Sequence, residues 1–197
     1  MDPRLRHLWA PWRLAYVAQP KPAEANDPCF ICLALAADRD REHLVVHRSR
    51  LSVVLLNKFP YNNGHLLVAP KAHKPHPCAL SAEEALDLHG VLCHMVQALE
   101  ALLHPDGFNV GLNLGRAAGA GLPDHLHWHI VPRWSGDTNF MPVLADTKVI
   151  VQSLDALYDL LRQRLDQSSD AALPAEAQMR VETDSSARAC RLARGLE

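Results

Sequence analysis

The chain has 197 residues, including 12 histidines, with 20 Lys and Arg against 22 Asp and Glu. This length fits one domain with a tail, and a hydrophobic fraction of 48% supports a real core, which excludes a disordered chain. A formal charge of −2 argues against a protein that coats nucleic acid, and no apolar run approaches the roughly 18 residues of a membrane span. Five cysteines without disulfide-framework spacing, and no secretory signal pattern at the start, predict a reduced, cytoplasmic protein without nucleic-acid or membrane partners.

Composition divides the chain into three parts. Residues 1–26 form a predicted N-terminal arm, which is irregular and carries the aromatic pair Trp9 and Trp12. Residues 27–166 hold the regular patterns and are predicted to form the domain. Residues 167–197 contain no aromatic residue and mix Ser, Ala and charges, so we predict a disordered tail or frayed helix there.

Five segments of the domain have the composition of strands and are bounded by turn signals. They cover 42–47, 51–57, 65–69, 108–114 and 125–131.

Two helices complete the predicted domain. Residues 81–103 carry a capping box, Ser81 with Glu84, and an apolar stripe at steps of three and four residues. Residues 148–165 repeat such a stripe. Because the strands do not alternate with helices, the sequence predicts an α+β fold, with about five antiparallel strands covered by one long helix, plus a C-terminal helix.

Three histidines alternate with apolar residues at 125–131. Residues i, i+2 and i+4 of a strand share a face, so His125, His127 and His129 line one side while their apolar neighbours enter the core. A solvated polar face, a metal site and a nucleophilic site all fit this pattern. We favour a division of labour in which one histidine attacks and its neighbours orient or bind.

A glycine-rich stretch precedes these histidines. Five of the nine glycines fall within 107–121. Such a stretch can be a flexible hairpin loop, or its backbone N–H groups can cup an anion. Beside three histidines the second interpretation suggests chemistry at phosphorus: a neutral imidazole forms an N–P bond, and a second, protonated imidazole stabilises the phosphoryl oxygens.

A CxxC pair, Cys29 and Cys32, stands near the start of the domain. The redox interpretation lacks a thioredoxin-like βαβ context. Two alternatives remain: small buried thiols in the core, or half of a tetrahedral zinc site that needs two more ligands.

Residues 125–131 resemble the motif of the histidine triad superfamily of nucleotidyl hydrolases and transferases at every position. Supporting features at the usual offsets are Asn57, His65, the run 70–73 and Asn113. The resemblance covers about residues 27–142 and implies a fold of the predicted α+β type.

The resemblance also implies a role for individual residues. His127 is the nucleophile, His129 contacts the phosphate, and His125 and His65 belong to the surrounding network. The implied nucleotide-binding residues are Asn57 at the ribose, Asn113 and the backbone of Gly121 and Leu122 at the phosphate, and Phe30, Ile31 and Leu55 around the base.

Two segments, 8–13 and 132–140, resemble the bacterial branch that includes diadenosine tetraphosphate phosphorylases. The implied function is cleavage of dinucleoside polyphosphates through a nucleotidyl-histidine, with phosphate as the acceptor in that branch and water as the alternative acceptor. Gly121 and Leu122 depart from the Gln-Ser pair of many members, so a serine hydroxyl is missing. A nucleoside phosphoramidate hydrolase, and a nucleotide-binding module with vestigial activity, are therefore kept as alternatives.

The resemblance implies one structural zinc per chain and a homodimer. The implied zinc ligands are Cys29, Cys32, His73 and His125, with His76 as a competitor for His73. In the dimer the long helix is expected at the interface, where Val91 and Val96 are candidate contacts.

Overall fold

A computed structural model of the chain describes residues 28–138 and 150–170. The predicted N-terminal arm and residues 171–197 of the predicted tail lie outside these ranges. The helices are α1 (Phe30–Ala36), α2 (Ala82–Leu103) and α3 (Leu154–Asp170). The strands are β1 (Val45–Arg48), β2 (Ser52–Leu56), β3 (Leu66–Pro70), β4 (Gly107–Leu112) and β5 (Trp128–Arg133).

The five strands form one antiparallel sheet in the order β1-β2-β3-β5-β4. Helices α2 and α3 pack on one face of the sheet, where they share the larger hydrophobic core. Helix α1 packs on the opposite face through Ile31 and Ala34, which join a smaller core with side chains of β1 and β2. The predicted α+β class, strand count and covering helix are confirmed.

The long helix begins as its sequence predicts. The Ser81 side chain accepts from the backbone N–H of Glu84, and the Glu84 carboxylate accepts from the backbone N–H of Ser81. The apolar stripe lies on the sheet, with Met95 and Leu99 wholly buried. By length and composition alone α2 could also cross a membrane, but this buried stripe is that of a core helix.

Several elements differ from those predicted; β1, for example, begins at Val45 instead of 42. Helix α1 was not predicted, because it has seven residues and its N-cap is a cysteine. Strand β5 begins at Trp128 instead of 125, since the Leu126 N–H donates to the carbonyl of Lys74, outside the sheet. Helix α3 begins at Leu154 instead of 148 and passes the predicted domain boundary at 166 by one turn.

Candidate active site

The sheet face that carries α1 also carries three of the predicted catalytic histidines. His65 stands immediately before β3, and β3 pairs with β5 so that Leu67 lies opposite His129. The imidazole centroids of His127 and His129 are 5.1 Å apart, as are those of His65 and His129. The structure thus brings His65, His127 and His129 together, as predicted.

The hydrogen bond of His127 fixes which ring nitrogen is free. Its Nδ1 lies 2.8 Å from the carbonyl oxygen of His125. A carbonyl oxygen only accepts, so Nδ1 carries the proton and Nε2 keeps its lone pair. His127, the predicted nucleophile, is 7% exposed, so its ring is mostly buried.

A second chain of hydrogen bonds fixes His65 and His129. The backbone N–H of Tyr61 donates to His65 Nδ1 over 3.0 Å, so the proton of His65 is on Nε2. This Nε2–H donates to His129 Nδ1 over 2.9 Å, so His129 carries its proton on Nε2. His129 Nε2 is buried without a protein partner among the described residues. An unpaired buried donor beside the predicted nucleophile is suited to a phosphoryl oxygen.

Both of these histidines stay neutral over a wide pH range. Burial, followed by the neighbouring imidazoles of His129 and His127, lowers the pKa of His65 to about 3. Burial and then His127 lower the pKa of His129 to about 4. Sequence analysis expected a second, protonated imidazole at the phosphoryl oxygens without naming it. Burial disfavours the charged form of His129, so this imidazole is a neutral N–H donor.

The residues predicted to hold the nucleoside lie next to the histidines, with unequal exposure. The Phe30 ring is 43% exposed and stands edge-on to His127 at 6.5 Å between centroids. Ile31 and Leu55 are at most 2% exposed and belong to the smaller core beneath it, so they shape the wall and offer little surface. Asn57 donates from Nδ2 to His65 Nδ1 and accepts at Oδ1 from the N–H of Phe59.

The loop between β4 and β5 approaches the same site. It turns through Gly115 and Gly119, which have φ of +76° and +89°. The N–H groups of Gly121 and Leu122 donate to no acceptor among the described residues, whereas that of Ala120 bonds to Gly115. The backbone that the resemblance assigns to phosphate is thus free to donate. The Leu122 side chain packs on the smaller core, and Asn113 is half-buried.

Four metal-binding side chains meet where α1 begins. Their ligand atoms lie within 4.8 Å of one another, and the four residues are Cys29, Cys32, His73 and His125. Cys29 Sγ is 3.2 Å from His125 Nδ1, and Cys32 Sγ is 3.2 Å from His73 Nδ1. Tetrahedral zinc, with bonds of about 2.3 Å to sulfur and about 2.0 Å to nitrogen, separates such atoms by about 3.5 Å. The spacing and the donor set therefore fit zinc.

His125 links this cluster to His127. Its Nε2 donates to the carbonyl of Pro70 over 2.9 Å, so its Nδ1 lone pair faces the two sulfurs. Its own carbonyl accepts from His127. His76, the competing ligand, is outside the cluster because its Nδ1 accepts from the N–H of Cys78.

Sequence reasoning did not single out Tyr61. Its N–H sets the tautomer of His65, and its ring stacks on His129 with centroids 5.7 Å apart and planes inclined by 17°. An aromatic residue four positions before a site histidine was the available signal.

Beyond His129 a cavity of about 420 Å³ continues across β5 and β4, and its far end is formed by Val131, Arg133 and Asn109.

An antiparallel sheet with alternating histidines on one face and a helical layer on the other defines a histidine triad fold. A family model described as the HIT domain matches residues 39–136. The AP-4-A phosphorylase of Mycobacterium tuberculosis is 38% identical over 155 residues, which cover 77% of this chain and 80% of that protein. The chain belongs to the HIT domain family.

Solved structures agree with the family. The structure of a zinc-bound histidine triad family protein from Mycobacterium smegmatis matches with a TM-score of 0.58 at 26% identity, over 73% of this chain and 97% of that one. A hypothetical histidine triad nucleotide-binding protein from Sulfolobus tokodaii matches with a TM-score of 0.57 at 25% identity, over 71% and 93%.

Proposed function

We propose that the protein is an enzyme that cleaves dinucleoside polyphosphates such as diadenosine tetraphosphate by transferring a nucleotidyl group to His127 and then to inorganic phosphate. The observation that carries the proposal is the pair of fixed tautomers, which leaves a lone pair on His127 Nε2 and an unpartnered N–H on His129 Nε2. The M. tuberculosis relative, named as an AP-4-A phosphorylase, supports phosphate as the acceptor.

In the first step, Nε2 of His127 attacks the α-phosphorus, and the P–O bond to the remaining phosphates breaks. The leaving oxygen takes the bonding electron pair. The His125 carbonyl, which holds the Nδ1 proton, stabilises the positive charge that develops on the ring. The N–H of His129 and the backbone N–H groups of Gly121 and Leu122 stabilise the phosphoryl oxygens.

In the second step, an oxygen of inorganic phosphate attacks the same phosphorus, and the P–N bond breaks. Nε2 recovers its lone pair, and the product is a nucleoside diphosphate. Water in place of phosphate gives a nucleoside monophosphate. Because the pKa values of His65 and His129 are lowered, these two imidazoles add no positive charge beside the acceptor.

The deciding experiment incubates the protein with diadenosine tetraphosphate, with and without inorganic phosphate, and separates the products. ADP that appears only with phosphate supports the proposal, whereas AMP and ATP without phosphate identify a hydrolase. His127→Ala should abolish either activity, and His89→Ala, an exposed histidine of α2, is the matched control. Tight nucleotide binding without any turnover would instead support the vestigial binding module.

A nucleoside phosphoramidate is the second candidate substrate. The same two steps apply to a P–N bond in the substrate, and the missing serine hydroxyl at Leu122 motivates the comparison. If the phosphoramidate is cleaved with a larger kcat/KM than diadenosine tetraphosphate, the proposed substrate changes and the proposed role of His127 is retained.

We also propose that the four-residue cluster holds one structural zinc per chain. A metal bound by these four residues would link the start of α1 to His125, whose carbonyl orients His127. The zinc-bound relative from M. smegmatis supports the identity of the metal. Metal analysis of protein purified without added zinc should give about one zinc per chain, and Cys29→Ser with Cys32→Ser should remove it. Cys78→Ser with Cys93→Ser, at two exposed thiols, should not.

We propose a homodimer in a cytoplasmic setting. The outer edge of β1 is occupied, because the Tyr158 hydroxyl donates to the Val45 carbonyl and Arg162 donates to that of Val46. The outer edge of β4 has no such cover among the described residues, and its Val110 is 46% exposed. We therefore place the interface at β4. Light scattering should give twice the chain mass, and Val110→Pro should give monomers.

Of the two contacts expected on the long helix, Val91 is buried in the core under α2 and offers no surface to a partner. Val96 is half-buried and stays a candidate contact. The four described cysteines are free thiols, which supports the cytoplasmic assignment.

A further inference from the structure

The ring of Tyr61 covers two imidazoles of the site. Its centroid lies 4.5 Å from that of His65 and 5.7 Å from that of His129, and its plane is inclined by only 17° to the His129 ring. These are the distances of stacked aromatic pairs. The backbone N–H of Tyr61 sets the tautomer of His65, and the ring makes a separate contact that this hydrogen bond does not require.

The hydrogen bond at Nδ1 does not by itself fix the direction of the His129 N–H. The χ2 torsion of histidine has a broad energy profile, so an imidazole held at one atom can still tilt. Two neighbours restrict this tilt. The Tyr61 ring lies nearly parallel to His129, and the His127 ring is inclined to it by 63° with centroids 5.1 Å apart. Stacking by Tyr61 therefore limits the directions in which Nε2–H can point.

The loop between β2 and β3 holds Tyr61 in place from both sides. Before it, the backbone N–H of Phe59 donates to Asn57 Oδ1 over 2.9 Å. After it, the buried Asn62 donates from Nδ2 to the Pro132 carbonyl over 3.0 Å. The backbone that carries the Tyr61 ring is thus tied to β5, which also carries His129.

The ring of Tyr61, and not its phenol hydroxyl, makes the contacts with the histidines. The hydroxyl forms no hydrogen bond with any residue of the described ranges. Burial is the largest cause of the lowered pKa of His129, and the Tyr61 ring is one of the groups that keep water from this imidazole. A phenylalanine at this position would make the same contacts, whereas an alanine would remove them.

We propose that the Tyr61 ring positions His129 for the reaction, by keeping its Nε2–H directed at the phosphoryl oxygens while the nucleotidyl group is transferred. This inference rests on the proposed function for the role of His129. Tyr61 touches no reacting atom in this assignment, so it is a positioning residue that acts through the histidine.

The test observes His129 directly, by NMR of the full chain with Tyr61→Ala and Tyr61→Phe. The nitrogen resonances of an imidazole show which nitrogen holds the proton, and His129→Gln identifies the signals. The parent and Tyr61→Phe should show a fixed Nε2–H form. In Tyr61→Ala water should compete for Nδ1, so the two resonances should approach each other and the pKa of His129 should rise toward 6.5. The titratable groups beside His129, the imidazoles of His65 and His127, are retained in all three proteins.

Turnover of diadenosine tetraphosphate, measured separately, should follow the same order. A misdirected donor is felt in the transition state, so kcat of Tyr61→Ala should fall by about 10- to 100-fold with little change in KM. Tyr61→Phe should keep the parent values. Phe59→Ala is the matched control, because it removes another exposed aromatic side chain of the same loop, one without a ring contact to the described histidines.

Other results would overturn the assignment. Parent-like resonances of His129 in Tyr61→Ala exclude an effect of the ring, and altered resonances with the parent kcat show that the reaction does not need this orientation. Equal losses of kcat in Tyr61→Phe and Tyr61→Ala assign the effect to the hydroxyl. If the parent turns over no substrate, the proposed function fails, while the resonances still decide whether Tyr61 orients His129, so the two failures can be separated.

Discussion

Replacing Gly64 with alanine is expected to destabilise the fold at the turn that presents His65. Gly64 has φ of +79°, which costs an L-residue about 1–2 kcal/mol. A Cβ there would lie 2.7 Å from Leu103 Cδ1 and 2.9 Å from Pro132 Cγ. The leucine tip can rotate but the proline ring cannot, so overpacking adds about 1–3 kcal/mol. We expect a loss of about 2–5 kcal/mol, a large part of the stability of an ordinary domain.

Urea unfolding measures this loss, and Gly90→Ala is its matched control. Gly90 lies in the middle of α2, is exposed, and a Cβ there meets nothing within 4 Å. Alanine should raise the free energy of unfolding there by about 0.5–1 kcal/mol, because glycine is unfavourable inside a helix. The same substitution thus has opposite signs at the two sites. A Gly64→Ala protein within about 0.5 kcal/mol of the parent would refute the reasoning.

Two further predictions concern pH and metal. The pKa of His65 is lowered to about 3 from 6.5, so between those values the unfolded chain binds a proton that the folded chain does not. The contribution of His65 to the free energy of unfolding is therefore complete above pH 6.5 and falls as pH decreases, by up to about 1.4 kcal/mol per pH unit. In His65→Asn, the free energy of unfolding in urea should depend less on pH. An unchanged pH dependence contradicts the lowered pKa of His65. Chelation should lower the melting temperature, with recovery on adding zinc, because a bound metal stabilises only the folded cluster. No shift with a chelator, in protein shown to contain zinc, would remove the structural role.

Local patterns predicted what depends on local interactions. The capping box at Ser81 and the apolar stripe of α2 each depend on residues of a single segment, and the structure has both. The alternation at 125–131 likewise predicted that Leu126 and Ile130 are buried, although His125 and His127 on the other face are buried as well. The spacing of apolar residues was enough to predict these two elements, because it follows the period of a helix in α2 and the period of a strand at 125–131.

Contacts between distant segments were beyond such patterns. The start of β5 is set by Lys74, about fifty residues earlier, and the tautomer of His129 is set through His65 by the N–H of Tyr61. Burial of these histidines also decides their charge, and burial follows from the assembled sheet. Sequence patterns therefore could not predict the charge of His129, which depends on this burial.

The central claim is that His127 carries the nucleotidyl group during turnover. Protein mixed with diadenosine tetraphosphate, in the absence of inorganic phosphate, can be quenched in neutral denaturant, digested and analysed by mass spectrometry. The account predicts an adenylyl group on the peptide that contains His127, lost when phosphate is added before the quench and absent in His127→Ala. Full turnover with no adduct on this peptide, or an adduct on another residue that persists in His127→Ala, would contradict it.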